Sequence, residues 1–177
     1  LGQNENGSLL EGASLMTEGS PWSGDTWGYK CFDGDVNTSA DLINPSNPRL
    51  GINFGVSCYI AEVRMIPRCA GQYGAGRISG TCVIGSNTDW NNGTQISGSL
   101  DYGNWDIVEW KTLTCDTSIP YTMAYTYKNG ESCGNFSEIE FYGWYVSDME
   151  GLTDPVTDLT AVTECGKQIS VSWNCTG

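Results

Sequence analysis

Short alternating segments closed by turn residues, with no stretch that keeps a helical period, constrain this chain most. Segments 58–68, 77–86, 105–114, 121–127 and 136–145 are rich in β-branched and aromatic residues and are separated by clusters of Gly, Asn, Asp and Pro. In 105–114, Trp105, Ile107, Glu109 and Lys111 alternate with Asp106, Val108, Trp110 and Thr112. Both faces are partly apolar, as in a strand from the middle of a sandwich. Repeated strands of this kind predict an all-β sandwich or jelly roll. With 177 residues the chain holds one well-buried domain and something more.

Charge and sulfur narrow the partners. Eight Lys plus Arg against 21 Asp plus Glu give a net charge of −13, which repels nucleic acid and anionic lipid. No apolar run approaches a membrane span, so insertion is not expected. Eight cysteines, no histidine and no Cys-x-x-Cys pair favour disulfides formed in an oxidising compartment over zinc or redox chemistry. Sequons at Asn6, Asn37, Asn92, Asn135 and Asn174 fit a glycosylated extracellular surface, and Leu1 is expected to follow a removed signal peptide. Without histidine, Ser-His-Asp and Cys-His catalysis is unavailable. Neither a phosphate-binding loop nor a dinucleotide fingerprint is present. The chain reads as a binding or assembly module and not an enzyme.

The stretch Lys30-Cys-Phe-Asp-Gly-Asp-Val-Asn-Thr38 concentrates oxygen donors in one glycine-hinged loop. Calcium takes six to eight oxygens from carboxylates, carbonyls and hydroxyls, and Asp33, Asp35, Asn37 and Thr38 offer all three kinds. An EF-hand counted from Asp33 would need glycine where Thr38 stands and glutamate where Asn44 stands. Two loops are candidates for recognition, with a core plug the equal alternative for Trp22 and Trp27. Residues 21–29 carry Trp22, Trp27 and Tyr29, and Asn87 to Asn104 forms a long irregular connection holding Trp90.

The loop at 30–38 is followed by Arg49-Leu-Gly-Ile-Asn-Phe-Gly55, by Ile60 to Arg68 ending in Ile-Pro-Arg, by Gly76-Arg-Ile-Ser-Gly80 leading into Val83-Ile-Gly-Ser86, and by Ser137-Glu-Ile-Glu-Phe-Tyr-Gly143. In that order these motifs resemble the discoidin-like, galactose-binding-like β-sandwiches, the group of the coagulation factor 5/8 C domains and the family 32 carbohydrate-binding modules. The resemblance covers roughly residues 8 to 145. It implies a structural Ca2+ held by the carbonyls of Lys30, Asp35, Thr38 and Ser137, the Thr38 hydroxyl, and the carboxylates of Asp33 and Glu138. It also implies a sugar site in which Arg68, from Pro67-Arg68, contacts hydroxyls while Trp22, Trp27 or Phe136 stacks on a sugar face. The pattern is incomplete there. Ala75 stands where those modules place an asparagine, and their sugar-contacting histidine has no counterpart.

Of the six cysteines in this region, Cys31, Cys58, Cys69, Cys82, Cys115 and Cys133, topology suggests Cys69 with Cys82 and Cys31 with Cys133. Cys165 and Cys175 form a separate candidate pair. The expected organisation is a discoidin-like jelly-roll sandwich over 1–146, a linker over 147–154, and the incomplete start of a fibronectin type III-like domain over 155–177, where Pro155-Val-Thr-Asp-Leu-Thr-Ala161 and Ile169-Ser-Val-Ser-Trp173 resemble its first two strands. The expected function is a non-catalytic, calcium-stabilised module that binds glycans or glycoproteins at an extracellular surface. The alternative is a structural subunit of an extracellular filament or coat, with copies of itself as partners.

Overall fold

The computed structural model describes residues 1–3, 7–43, 49–68, 74–101, 108–128, 134–149, 157–164 and 168–174. Two compact units result, Leu1–Tyr145 and Val146–Gly177. In the first, the strands are β1 (Ser14–Thr17), β2 (Ser20–Pro21), β3 (Leu42–Ile43), β4 (Leu50–Pro67), β5 (Cys82–Ser86), β6 (Thr94–Gln95), β7 (Lys111–Thr114), β8 (Tyr121–Tyr127) and β9 (Phe136–Tyr145). In the second, β10 (Thr157–Glu164) and β11 (Gln168–Asn174) pair as one antiparallel hairpin, preceded by a 3-10 turn over Val146–Met149. The fold is the all-β class that the sequence predicts.

The long strand β4 organises the first unit. Its opening residues pair with β1 on one side and β8 on the other. Its closing residues pair with β7 and β9. Between the halves, Gly55 holds φ at +76°, and a Cβ there would meet the carbonyl oxygen of Gly12 at 2.4 Å. Only glycine accepts that bend.

Period-two alternation decides what each face touches. Leu50 and Ile52, with Val83, Ala124 and Thr126 on β5 and β8, are buried against Phe54, Phe136, Ile139 and Phe141. The rings of Phe54 and Phe141 meet edge to face, 5.9 Å apart. On the opposite face of the same strands, Gly51, Cys82, Ile84, Tyr125 and Tyr127 form a second layer capped by Trp90.

Several expectations need correction. Residues 77–86 are not one strand. Gly74–Ile78 is a short α-helix, α1, because Ile78 is anchored in the core and Thr81 N–H closes the turn on Ile78 O at 3.1 Å. Of the described residues in 105–114, Lys111–Thr114 is strand and 108–110 is not, while 102–107 lie outside the described residues. Among the described residues, the expected disulfides are not formed at Cys58, Cys82 or Cys115. Cys58, Cys82 and Cys115 are separate buried thiols, so Cys69–Cys82 is not formed. They sit among packed side chains at different points of the sheet, and burial pushes the Cys58 and Cys115 thiols up to about 12. Cys31 is buried and its thiol donates to Gly28 O at 3.0 Å. Cys69, Cys133, Cys165 and Cys175 lie outside the described residues.

Candidate functional site

Two clusters gather the residues singled out by sequence. The first is the loop after the 3-10 turn Gly28–Phe32. Gly34 takes φ +76°, which folds the chain back on itself, and successive Asx turns tighten the loop. Asp35 N–H donates to Asp33 Oδ1 at 3.0 Å and Asn37 N–H to Asp35 Oδ1 at 2.9 Å. The Thr38 hydroxyl then sits among oxygens, 2.8 and 2.9 Å from the Asp33 carboxylate, 3.0 Å from Asp35 O and 3.3 Å from Lys30 O. Glu138 of β9 reaches the loop from the far end of the sequence, and its Oε2 accepts Gly34 N–H at 3.2 Å. Ser137, beside it, is fully buried.

Lys30 O, Asp33, Asp35 O and Thr38 are thus gathered in one loop with Glu138 beside it, while no group of three His, Cys, Asp or Glu side chains fit to hold a metal occurs among the described residues. The donor set is two carboxylates supplemented by carbonyls and a hydroxyl, the mix a hard cation takes. Glu138 is 3% exposed. Burial, and secondly the facing Asp33 charge, push its carboxyl up to about 8. A buried carboxylate held by one backbone N–H and repelled by the Asp33 charge is costly, and the oxygen donors beside it suit a divalent ion. Lys30 Nζ lies 3.9 Å from Asp33 Oδ2 but turns mainly to Asp25, at 3.1 Å. A cleft of about 250 Å3 lined by Gly34, Glu138, Glu140 and Tyr142 opens beside the cluster.

The second cluster forms where 134–136 threads between two other segments. Ala40 N–H donates to Phe136 O, Leu42 N–H to Gly134 O and Arg68 N–H to Asn135 O. Ala40 and Leu42 point into the core, so Asp41 points the other way. Arg68 is ion-paired to Asp41, and Arg77 approaches the same carboxylate at 3.9 Å while donating to Asn135 Oδ1 at 3.1 Å. The recognition loop is tied to this row, because Trp22 N–H donates to Asp41 O at 2.7 Å and Asp41 N–H donates to Thr26 O at 3.0 Å. Trp22 is 66% exposed and Trp27 46%.

Trp22 and Trp27 thus lie at the surface, and Arg68 is partly covered and held by Asp41. Phe136 is not at the surface. It is 0% exposed in the core, because its position on β9 faces inward, so it cannot stack on a ligand. Asn135 is 2% exposed with its amide bound to Arg77, which removes it as a glycosylation site. Asn37 and Asn92 are exposed, while Asn6 lies outside the described residues and the side chain of Asn174 is not described. Sequence reasoning missed Asp41, Arg77 and Asn135 as a unit. The signal for Asp41 was a single acid inside the apolar run Ala40-Asp41-Leu42-Ile43, which demands a buried partner.

No family model matches this chain, and no curated protein matches it. Solved structures do. A family 62 carbohydrate-binding module of Clostridium thermocellum Xyl5A aligns with a TM-score of 0.63 at 21% identity, covering 75% of this chain and 94% of that one. A family 32 module of Clostridium perfringens in complex with GalNAc-β-1,3-galactose gives 0.56 at 20%, covering 74% and 94%. A family 32 module of C. perfringens NanJ in complex with galactose gives 0.53 at 20%, covering 73% and 90%. This chain is similar in fold to carbohydrate-binding modules of the discoidin-like, galactose-binding-like jelly roll.

Proposed function

We propose that this chain is a non-catalytic carbohydrate-binding module, calcium-stabilised and working in an extracellular setting. One observation carries the reading. Trp22 presents a freely exposed ring on a loop hydrogen-bonded to the Asp41–Arg68–Arg77–Asn135 row. Aromatic faces beside a few fixed polar groups are the usual make-up of a small-ligand site. A guanidinium has five donors, so Arg68 keeps N–H groups for sugar hydroxyls after pairing with Asp41. The pairing also fixes its direction, which lowers the entropy cost of binding. The galactose-containing ligands of two similar modules give the class of ligand, while Ala75 and the lack of histidine argue for a different sugar preference.

Ca2+ would be held by the carboxylates of Asp33 and Glu138, the carbonyls of Lys30, Asp35, Thr38 and Ser137, and the Thr38 hydroxyl. By joining an early loop to the last strand of the sandwich, the ion would add its binding free energy to folding.

A glycan array followed by calorimetry tests the reading. Trp22→Ala is expected to weaken binding at least tenfold, the loss of roughly 1.4 kcal/mol, with no change in melting temperature. Absence of binding to any glycan, or full affinity in Trp22→Ala, would overturn it.

A further inference from the structure

We propose a second sugar-binding site, for a single neutral pyranose ring, on the outer face of the β5–β8 pair. It rests on the carbohydrate-binding reading above but shares no residue with the Trp22–Arg68 row. Its floor follows from strand register. Ile84 pairs with Tyr125 and Cys82 with Tyr127, placing Tyr125 and Tyr127 side by side on the face turned away from the core. Gly51, paired with Tyr125 on the neighbouring strand, contributes no side chain to that face. The connection after β5 then folds over the sheet and brings Trp90 against Tyr125, with rings 6.4 Å apart at 84°. Between them lies a cleft of about 210 Å3 lined by Arg49, Ile84, Trp90, Asn91, Gly93, Tyr125 and Tyr127.

The loop is held in shape before any ligand arrives. Ser86 Oγ donates to Asp89 O at 2.6 Å, Asp89 Oδ1 accepts Asn91 N–H at 2.7 Å, and Tyr125 O–H donates to Trp90 O at 2.8 Å. Ordering costs are therefore small on binding. Arg49 lies over the Tyr125 ring at 6.0 Å and donates from Nη1 to Asn91 Oδ1 at 2.9 Å. Its Nε–H is buried and has no acceptor, an expensive state for a charged group. Because Asn91 spends its oxygen on Arg49, its Nδ2 is left as a donor.

With the Asn91 Nδ2 donor at its rim and aromatic walls around it, the cleft suits a ligand that supplies an oxygen acceptor together with an apolar C–H face, and a sugar ring does both. Charge narrows the class. Glu18 Oε2 lies 3.9 Å from Arg49, and the Asp89 carboxylate is close enough for Arg49 to hold it below the usual carboxylate range, after its hydrogen bonds from Asn91 and Asn92. The guanidinium is thus already offset, which favours a neutral sugar over a uronate. The cleft is smaller than the ~300 Å3 at which pockets for drug-sized ligands begin, so it takes one ring and not a chain laid lengthwise.

Titration of the full chain with methyl glycosides of galactose, glucose and mannose, and with galacturonate, followed by amide and side-chain NMR, tests this. The expected result is a saturating shift of the Trp90 indole N–H and the Arg49 Nε–H with at least one neutral glycoside, in the millimolar range. It should weaken about tenfold in Asn91→Ala, weaken also in Tyr127→Leu, and persist in Trp22→Ala. Tighter binding of galacturonate would overturn the neutral class. Silence at Trp90 and Arg49 while the Trp22 resonances shift would overturn the second site alone. Silence at both would overturn the carbohydrate reading with it.

Discussion

Replacing Glu138 by Gln probes the oxygen cluster at its most stressed point. Glu138 carries a carboxyl pushed from 4.5 up to about 8 by burial and by the Asp33 charge. Between those two pH values the metal-free folded state holds a proton that the unfolded chain has already released, so stability falls as the pH rises through the window. At ~1.4 kcal/mol per pH unit, the full shift corresponds to about 5 kcal/mol lost between pH 4.5 and pH 8. Calcium reverses the sign of the problem, because it binds the ionised form. At a free concentration of about one hundred times Kd it adds ~2.7 kcal/mol, which raises the melting temperature by roughly 5–10 °C for a unit of this size. Thermal melts at pH 5 and pH 8, with chelator and with calcium, check both effects. With chelator, the wild type should melt lower at pH 8 than at pH 5, and Glu138→Gln should melt nearly alike at the two. With calcium, the wild type should regain about half of that loss at pH 8 and the variant should gain little. A chelated wild type indifferent to pH would refute the electrostatic argument. A variant fully stabilised by calcium would refute the ligand assignment.

Other perturbations separate core from surface. Phe136→Ala should cost about 3–5 kcal/mol, as an emptied core position does, while leaving sugar affinity unchanged well below the melting point, and denaturant melts beside calorimetry measure the two. Cys58, Cys82 and Cys115 should resist a thiol reagent at pH 8 and label only on denaturation, since burial raises all three thiols; labelling of the native protein at Cys58 or Cys115 would contradict the packing. Expression in a glycosylating host should modify Asn92 and never Asn135, read by peptide mass spectrometry. The β10–β11 hairpin is too small to be stable by itself. Sedimentation of the full chain beside one ending at Ser147 should give monomers in both cases, whereas self-association lost on truncation would make the hairpin a joint between copies.

The strand character of this chain was determined locally and was therefore readable. Period-two alternation in 121–127 and 136–145 and the punctuation between strands are properties of neighbouring residues, and they suffice for an all-β sandwich. The oxygen donors of 30–38 are equally local, since Asp33, Asp35 and Thr38 lie within one turn-rich loop whose reversal at Gly34 follows from the sequence. Glu138 entered that cluster only through resemblance to a family, because one hundred and four residues separate it from Gly34. Tertiary structure alone decided the rest. Phe136 and Trp22 are both aromatic residues, yet strand register buries one and loop hydrogen bonding exposes the other. The alternation that announces a strand does not say which of its faces meets the other layer, and so could not distinguish Asn135 from an exposed sequon. It could not place Arg77 beside Asp41 or Trp90 over Tyr125 either. Those pairs join distant segments, and only the closure of strands around β4, which depends on the summed burial of the whole core, brings them within reach.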